Sequence, residues 1–473
     1  MQDKHHRLHN RAFIAVLVLT AVYYLFLLSN GDFQPVAPEL LDRVYGWMAL
    51  NLLHGDFTVP RQVIQFESFT RNGRVLTYFG DFPAALRLLA WPFHRLTAGG
   101  LARLSCWIAM VLFVGLQLRM LLVVHESLRP EDRSRPLLAM LAAATVLSGP
   151  QLYLLGSAWI YHESVFWSAA QAACFSLVVL QAALAGRTLR GGELALLAAL
   201  AGVALNTRPS VGAGLVLSFG LVLAWTAWET GLLRPRILGP AAILVVLGLA
   251  AAWVNYGRWG NPLTFADFRD YDFAHRQPAR LAMILTYHEL NLGRIPVALL
   301  YYATGLPYVF KNTAPFAEYL RTHFDGLEAP PLSGLLANPL TIVLAALGAW
   351  RLFWRPELPR SGIALLRLTL IGYAAIAVMV LMAMYLTLRY RMDFAPLTTL
   401  LALLGYRALS IRLPALRPAQ QQGLRAAVLV CCLGGIAVSH YTLVIHKVWS
   451  GGVPMDVRRT LLPLAPFARA ALP

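Results

Sequence analysis

Eleven apolar runs, most of them about twenty residues long, divide this chain and restrict it to one kind of architecture. A helix needs roughly twenty apolar residues to cross ~30 Å of hydrocarbon. The runs fall at 12–29, 101–124, 136–155, 158–186, 193–207, 211–229, 237–255, 336–354, 363–386, 395–411 and 426–446. Lipid offers no water to open backbone groups, so segments of this kind cross as helices. The expected fold class is all-α integral membrane, with about 11 transmembrane helices in a single domain over residues 1–473. Composition agrees: 58% apolar and 13% charged residues exclude a soluble globule of this length.

Charge alternates between the gaps. Six gaps are basic: His5–Arg11, Arg129–Arg135, Arg187–Arg190, Arg234–Arg236, Arg351–Arg360 and Arg407–Arg425. The positive-inside rule puts these in the cytoplasm, and with them the N-terminus. An odd number of crossings then leaves the C-terminus, with Asp456 and Arg458–Arg459, on the periplasmic side. The net charge of +17 belongs to topology and anionic headgroups. Its arginines sit at the ends of apolar runs, so membrane lipids are expected partners and nucleic acid is not. The first run has no small-x-small cleavage site after it and reads as a retained anchor. Cys106, Cys174, Cys431 and Cys432 all lie inside apolar runs and form neither a disulfide framework nor a metal spacing.

Two long gaps on the other side, 30–100 and 256–335, carry most of the carboxylates and are expected to cap an active site. Leu40–Leu53 has the apolar spacing of a helix, and Pro83–Leu96 and Ile295–Tyr302 suit helices lying in the interface plane. In the short run 193–207, Asn206-Thr207-Arg208-Pro209 predicts a backbone break, because proline disfavours helix at the residue before it.

Several residues are placed for chemistry. Asp42, next to Arg43 and among apolar residues, can act as a general base, although a solvated acid at a helix end looks the same. Asp32, Glu39, Asp56 and Glu67 compete for that role in the same loop. Glu163, after Tyr161-His162, is an acid at membrane depth, where a charge costs roughly 2.5–3.5 kcal/mol on insertion scales and normally has a partner. His162 and Arg208 are candidate partners, and a structural ion pair is as expected as contact with a substrate. Arg389 and Arg391 suit a phosphate at the bilayer surface, where guanidinium forks match phosphate oxygens; plain interfacial anchoring is the alternative. Arg258, Lys311 and Arg321 are weaker candidates. No P-loop, dinucleotide fingerprint, zinc-protease or serine-hydrolase motif is present.

Asp42, Gly55-Asp56-Phe57-Thr58-Val59 and the run from Asn72-Gly73-Arg74 through Tyr78-Phe79-Gly80-Asp81-Phe82-Pro83 to Leu88 resemble bacterial multi-spanning glycosyltransferases of the GT-C class. Tyr161-His162-Glu163, Asn206-Thr207-Arg208-Pro209 and Arg389-Tyr390-Arg391-Met392-Asp393 fit the same pattern. The resemblance covers most of the chain. It implies a bacterial inner-membrane enzyme that moves a single sugar, a hexose or pentose, from a polyprenyl-phosphate donor to a glycan or lipid acceptor in cell-envelope glycan biosynthesis. Asp42 would be the base. Arg389 and Arg391, with Arg208 and Arg258, would hold the donor phosphate. Glu163, His162, Tyr78, Asp56 and Glu67 would line the substrate. Paired adjacent acids found in some members are missing at Leu41-Asp42-Arg43, so no metal cofactor is expected. The rival class is a transporter or flippase for a lipid-linked sugar, since broken helices and intramembrane charges also mark transport paths.

Overall fold

The computed structural model describes residues 2–231, 234–328 and 334–450; Asp456 and Arg458–Arg459, which bear on the expected side of the C-terminus, lie outside the described residues. Each apolar run is helical over most of its length. Among the described residues nine helices are long and apolar enough to cross a membrane, the first Arg11–Leu28 and the last Pro418–Val448. The chain is a multi-pass membrane protein. The expected count of eleven is not reached by length, because Gly191–Leu205 and Pro339–Trp354 have only 15 and 16 residues. Both are held by neighbours. The first packs against Pro209–Thr230 and Pro235–Trp259, and the second lies along Ala395–Arg412.

The break expected at Arg208 is present. One helix stops at Leu205 and the next starts with Pro209 in its first turn, where a missing amide costs nothing. Carbonyls opened by such a break need a partner. The Phe82 amide donates to Asn206 O at 2.9 Å. Gly80 permits that approach, since a Cβ there would stand 2.4 Å from Thr207 O. The motif around Tyr78–Pro83 is thus docked onto the broken helix pair.

The two long loops are knitted together. Asn72 and Gly73, both with positive φ, turn a hairpin of Phe69–Arg71 and Arg74–Leu76. Phe69 bridges to Tyr271, and the Asp272 amide donates to Ser68 O at 3.0 Å. The Asp272 carboxylate accepts from Arg61 and Thr70, and Arg71 bonds Asp270 at 2.9 Å. Within the loops, helices run over Val44–Leu53, Phe82–Ala90 and Ile295–Thr304. The first begins after Asp42 and the second ends before Trp91, both shorter than the apolar spacing suggests. Leu89, Trp91 and Phe93 remain exposed, as expected of a segment at a membrane interface.

Candidate active site

Asp42 lies in the turn preceding Val44–Leu53 and not on that helix. Its Oδ2 accepts from the amides of Glu39 at 3.0 Å and Gly100 at 2.7 Å. Gly99 and Gly100 both have φ near +85°, a conformation that favours glycine, and a Cβ on Gly99 would stand 2.8 Å from Asp42 Oδ1. The glycine pair therefore brings a backbone amide to the carboxylate. No hydrogen bond from the described residues reaches Oδ1. One oxygen is anchored, and the other is not. Arg43 Nε donates to Thr97 O at 2.9 Å, which pins the turn to the same strip of chain. Nearby, burial pushes the Glu39 carboxyl up, against the pull of Arg103 at 2.7 Å.

Glu163 is fully buried, and its partner is neither His162 nor Arg208. Arg87 Nη2 donates to it at 2.7 Å, and the guanidinium lies 5.7 Å from the centre of the Tyr45 ring. This pair clamps Phe82–Ala90 to Ile160–Leu184. His162 donates from Nδ1 to Ser157 O at 2.8 Å and stacks on Trp159. Glu163 and His162 are both buried.

The four candidate arginines divide sharply. Arg208 is bound to Asp393 through two hydrogen bonds of 2.8 and 2.6 Å. Arg258 donates to Phe79 O at 3.0 Å and to the Asp81 carboxylate, so it holds the Tyr78–Pro83 motif in place. Arg389 is different. It makes no hydrogen bond or ion pair with the described residues, and its guanidinium lies over the Tyr161 ring at 4.7 Å and the Tyr390 ring at 5.5 Å. Arg391 is buried and lines a mostly apolar cavity of about 290 Å³. Leu121, Leu141, Leu344, Leu403 and Tyr302 are among its walls.

Both arginines ride on one 3-10 helix, Leu388–Phe394. At three residues per turn, positions two apart project in different directions, so they face different surroundings. Arg389 lies against tyrosine rings, while Arg391 faces the apolar cavity.

Glu67 lies within electrostatic reach of Arg389. It is buried, and Tyr271 donates a hydroxyl hydrogen bond to its Oε1 at 3.1 Å. Burial raises its carboxyl above the usual range, while the Tyr161 and Tyr271 hydroxyls and the charge of Arg389 pull it down. Tyr78 stacks on Phe79 and leans on Phe69 and Phe268, consistent with both a sugar platform and loop packing. Asp56 sits apart. It accepts from Thr58 and pairs with Arg74 at 3.4 Å on an exposed turn. Among the described residues, no group of three or more His, Cys, Asp or Glu side chains converges as it would around a metal ion.

Besides Arg87, three partners escaped the sequence reading. Asp393 and Asp81 stood inside motifs but gave no sign of which arginine each would take. Glu328, whose carboxylate accepts from the Leu388 amide at 2.7 Å, was not singled out at all. Sixty positions separate that pair, and local spacing carries no signal for it.

No family model matches the chain, and no curated protein matches it. Solved structures do. The Archaeoglobus fulgidus oligosaccharyltransferase tethered with an acceptor peptide matches over 94% of this chain at 16% identity, with a TM-score of 0.51. The chain has a GT-C-like fold. It spans 56% of that protein, less than two thirds of its length. AglB from the same organism, in complex with an inhibitory peptide and a dolichol-phosphate, matches over 97% of this chain and 60% of its own. The identity there is 13% and the TM-score 0.47. ArnT from Cupriavidus metallidurans in the apo state covers 99% of this chain and 75% of its own, at 15% identity and a TM-score of 0.44.

Proposed function

We propose that this chain is an inverting glycosyltransferase. It moves a single sugar, a hexose or pentose, from a polyprenyl-phosphate donor to an acceptor hydroxyl. The loop side would face the periplasm of a bacterial inner membrane, with the N-terminus cytoplasmic and the acceptor a glycan or lipid. The observation that carries the reading is the setting of Arg389. An arginine beside the hydrocarbon is costly, and it is retained where an anion or a partner answers it. Here the guanidinium is held between tyrosine rings, with no acidic partner bonded to it among the described residues. On the same helix, Arg391 opens onto a cavity with apolar walls. A phosphate joined to a hydrocarbon chain answers both features.

The reaction would be a direct displacement at the anomeric carbon. Asp42 Oδ1 takes the proton from the acceptor hydroxyl as its oxygen attacks, and the C–O bond to the polyprenyl phosphate breaks. The departing phosphate needs no proton, since Arg389 meets its charge, while Arg391 stands at the cavity proposed for the hydrocarbon chain. One base is therefore enough, unlike the acid and base pair of glycoside hydrolysis. This reading assigns no metal ion, because guanidinium groups take the electrostatic role.

Arg389→Ala should lower kcat/KM for the donor by about 10²–10³-fold, the usual loss on removing a group that meets developing charge. Arg389→Lys should restore only part, since a point charge replaces a planar fork. The measurement is sugar transfer at limiting donor, with the KM for acceptor read in parallel. Full activity in the alanine variant would remove Arg389 from the site.

A further inference from the structure

The five residues between the helix Arg360–Met382 and the arginine-bearing helix Leu388–Phe394 are extended, and the second long loop holds them. Asn291 N donates to Met382 O at 3.0 Å, and Leu290 bridges Ala383. Asp325 N donates to Met384 O at 2.9 Å. Gly326–Leu327 pairs in parallel with Tyr385–Leu386. The ladder ends at Glu328, whose amide donates to Leu386 O at 2.9 Å.

Glu328 then does more than close the ladder. Its Oε2 accepts from Leu388 N at 2.7 Å, the residue immediately before Arg389. Its Oε1 accepts from the Tyr153 hydroxyl, and its carbonyl accepts from the Tyr301 hydroxyl at 2.7 Å. Tyr153 comes from the membrane helices and Tyr301 from the Ile295–Thr304 helix. One residue therefore joins the membrane body, the loop and the start of the arginine helix. The charges of Glu328 and Arg389 also act on each other.

We infer that Glu328 is a positioning residue: through Leu388 it fixes where Arg389 stands, and so sets how well the site holds a polyprenyl phosphate. The inference rests on the donor-site reading above. It makes the second loop a working part of that site. Rearrangement of the loop, as on arrival of an acceptor, would be felt at the phosphate.

Glu328→Gln is the variant of choice because it keeps size and shape. A carboxylate accepts at both oxygens, whereas an amide accepts at one and donates at the other. Either Leu388 N–H or the Tyr153 hydroxyl must then lose its acceptor. Binding of undecaprenyl phosphate to the full chain in detergent is measured for wild type, Glu328→Gln, Arg389→Ala and the double variant. Glu328→Gln should weaken binding about tenfold, a size expected for one charge-assisted hydrogen bond. In the Arg389→Ala background the same change should cost less than about twofold, because residues acting through one another are not additive. Glu328→Asp should recover part of the loss.

A tenfold loss in both backgrounds, or no loss in either, overturns the inference. If wild type itself binds no undecaprenyl phosphate, the inference falls with the donor-site reading. If wild type binds and Arg389→Ala binds equally well, Arg389 is not what Glu328 positions, and the inference is overturned alone. Thermal unfolding of each variant separates a general loss of fold from this coupling.

Discussion

Asp42→Asn should slow sugar transfer by ~10²–10⁴-fold, the usual contribution of a positioned general base. The structure makes this substitution unusually clean. Asp42 Oδ2 accepts from the Glu39 and Gly100 amides, and the carbonyl oxygen of asparagine can accept from both. The turn should therefore keep its shape, and expression and detergent extraction should stay near wild type. What asparagine cannot do is take a proton at the other position. Binding of the donor should survive, since Arg389 and Arg391 belong to a different segment. Gln or Asn changes at Asp32, Glu39, Asp56 and Glu67 serve as comparisons. Glu67 is the most informative of these, because it is buried against Tyr271 and under the influence of Arg389. Normal turnover in Asp42→Asn, with Glu67→Gln dead, would move the base to Glu67 and leave the reaction class standing.

The second large effect concerns stability. Arg87→Met should destabilise the protein by about 3–5 kcal/mol, because it strands the Glu163 carboxylate buried without the cation bonded to it. Glu163 is completely buried, and Arg87 is the cation bonded to it. Pairing the change with Glu163→Leu should recover most of the loss, since apolar residues of similar volume often replace a buried ion pair without cost. Thermal unfolding in a single detergent reads both effects. Equal stability of Arg87→Met and wild type would show that water or another cation reaches Glu163, and would favour its role as a substrate contact.

These two sites also mark how far the sequence could be read. The helices were legible because apolar length is a local property, and the break at Arg208 was legible because proline acts on the residue before it. The two short helices fall below the length of a full crossing, and an apolar run that packs between neighbours looks in sequence like one that meets lipid. Asp42 was singled out from its place after the first run, but its anchoring by Gly100 was not legible. That contact needs two consecutive left-handed residues, which the Gly99-Gly100 pair permits but does not announce. The arginines show the limit most plainly. Arg208, Arg258, Arg389 and Arg391 were alike as residue types near segment ends. Two of them are bound to Asp393 and Asp81, and only three-dimensional pairing separates them from Arg389. Glu163 was recognised as an acid needing a partner, and the partner came from a helix 76 positions away.

The most direct test of the account is transfer by the purified chain in detergent, with a polyprenyl-phosphate sugar of known anomeric configuration and a panel of glycan and lipid acceptors. Nuclear magnetic resonance of the product reports its anomeric carbon. The account predicts a new glycosidic bond of inverted configuration and release of the polyprenyl phosphate. A donor that stays intact in detergent but crosses the bilayer of vesicles containing the protein would contradict it and identify a transporter. A product of retained configuration would contradict the single displacement, and with it the role given to Asp42.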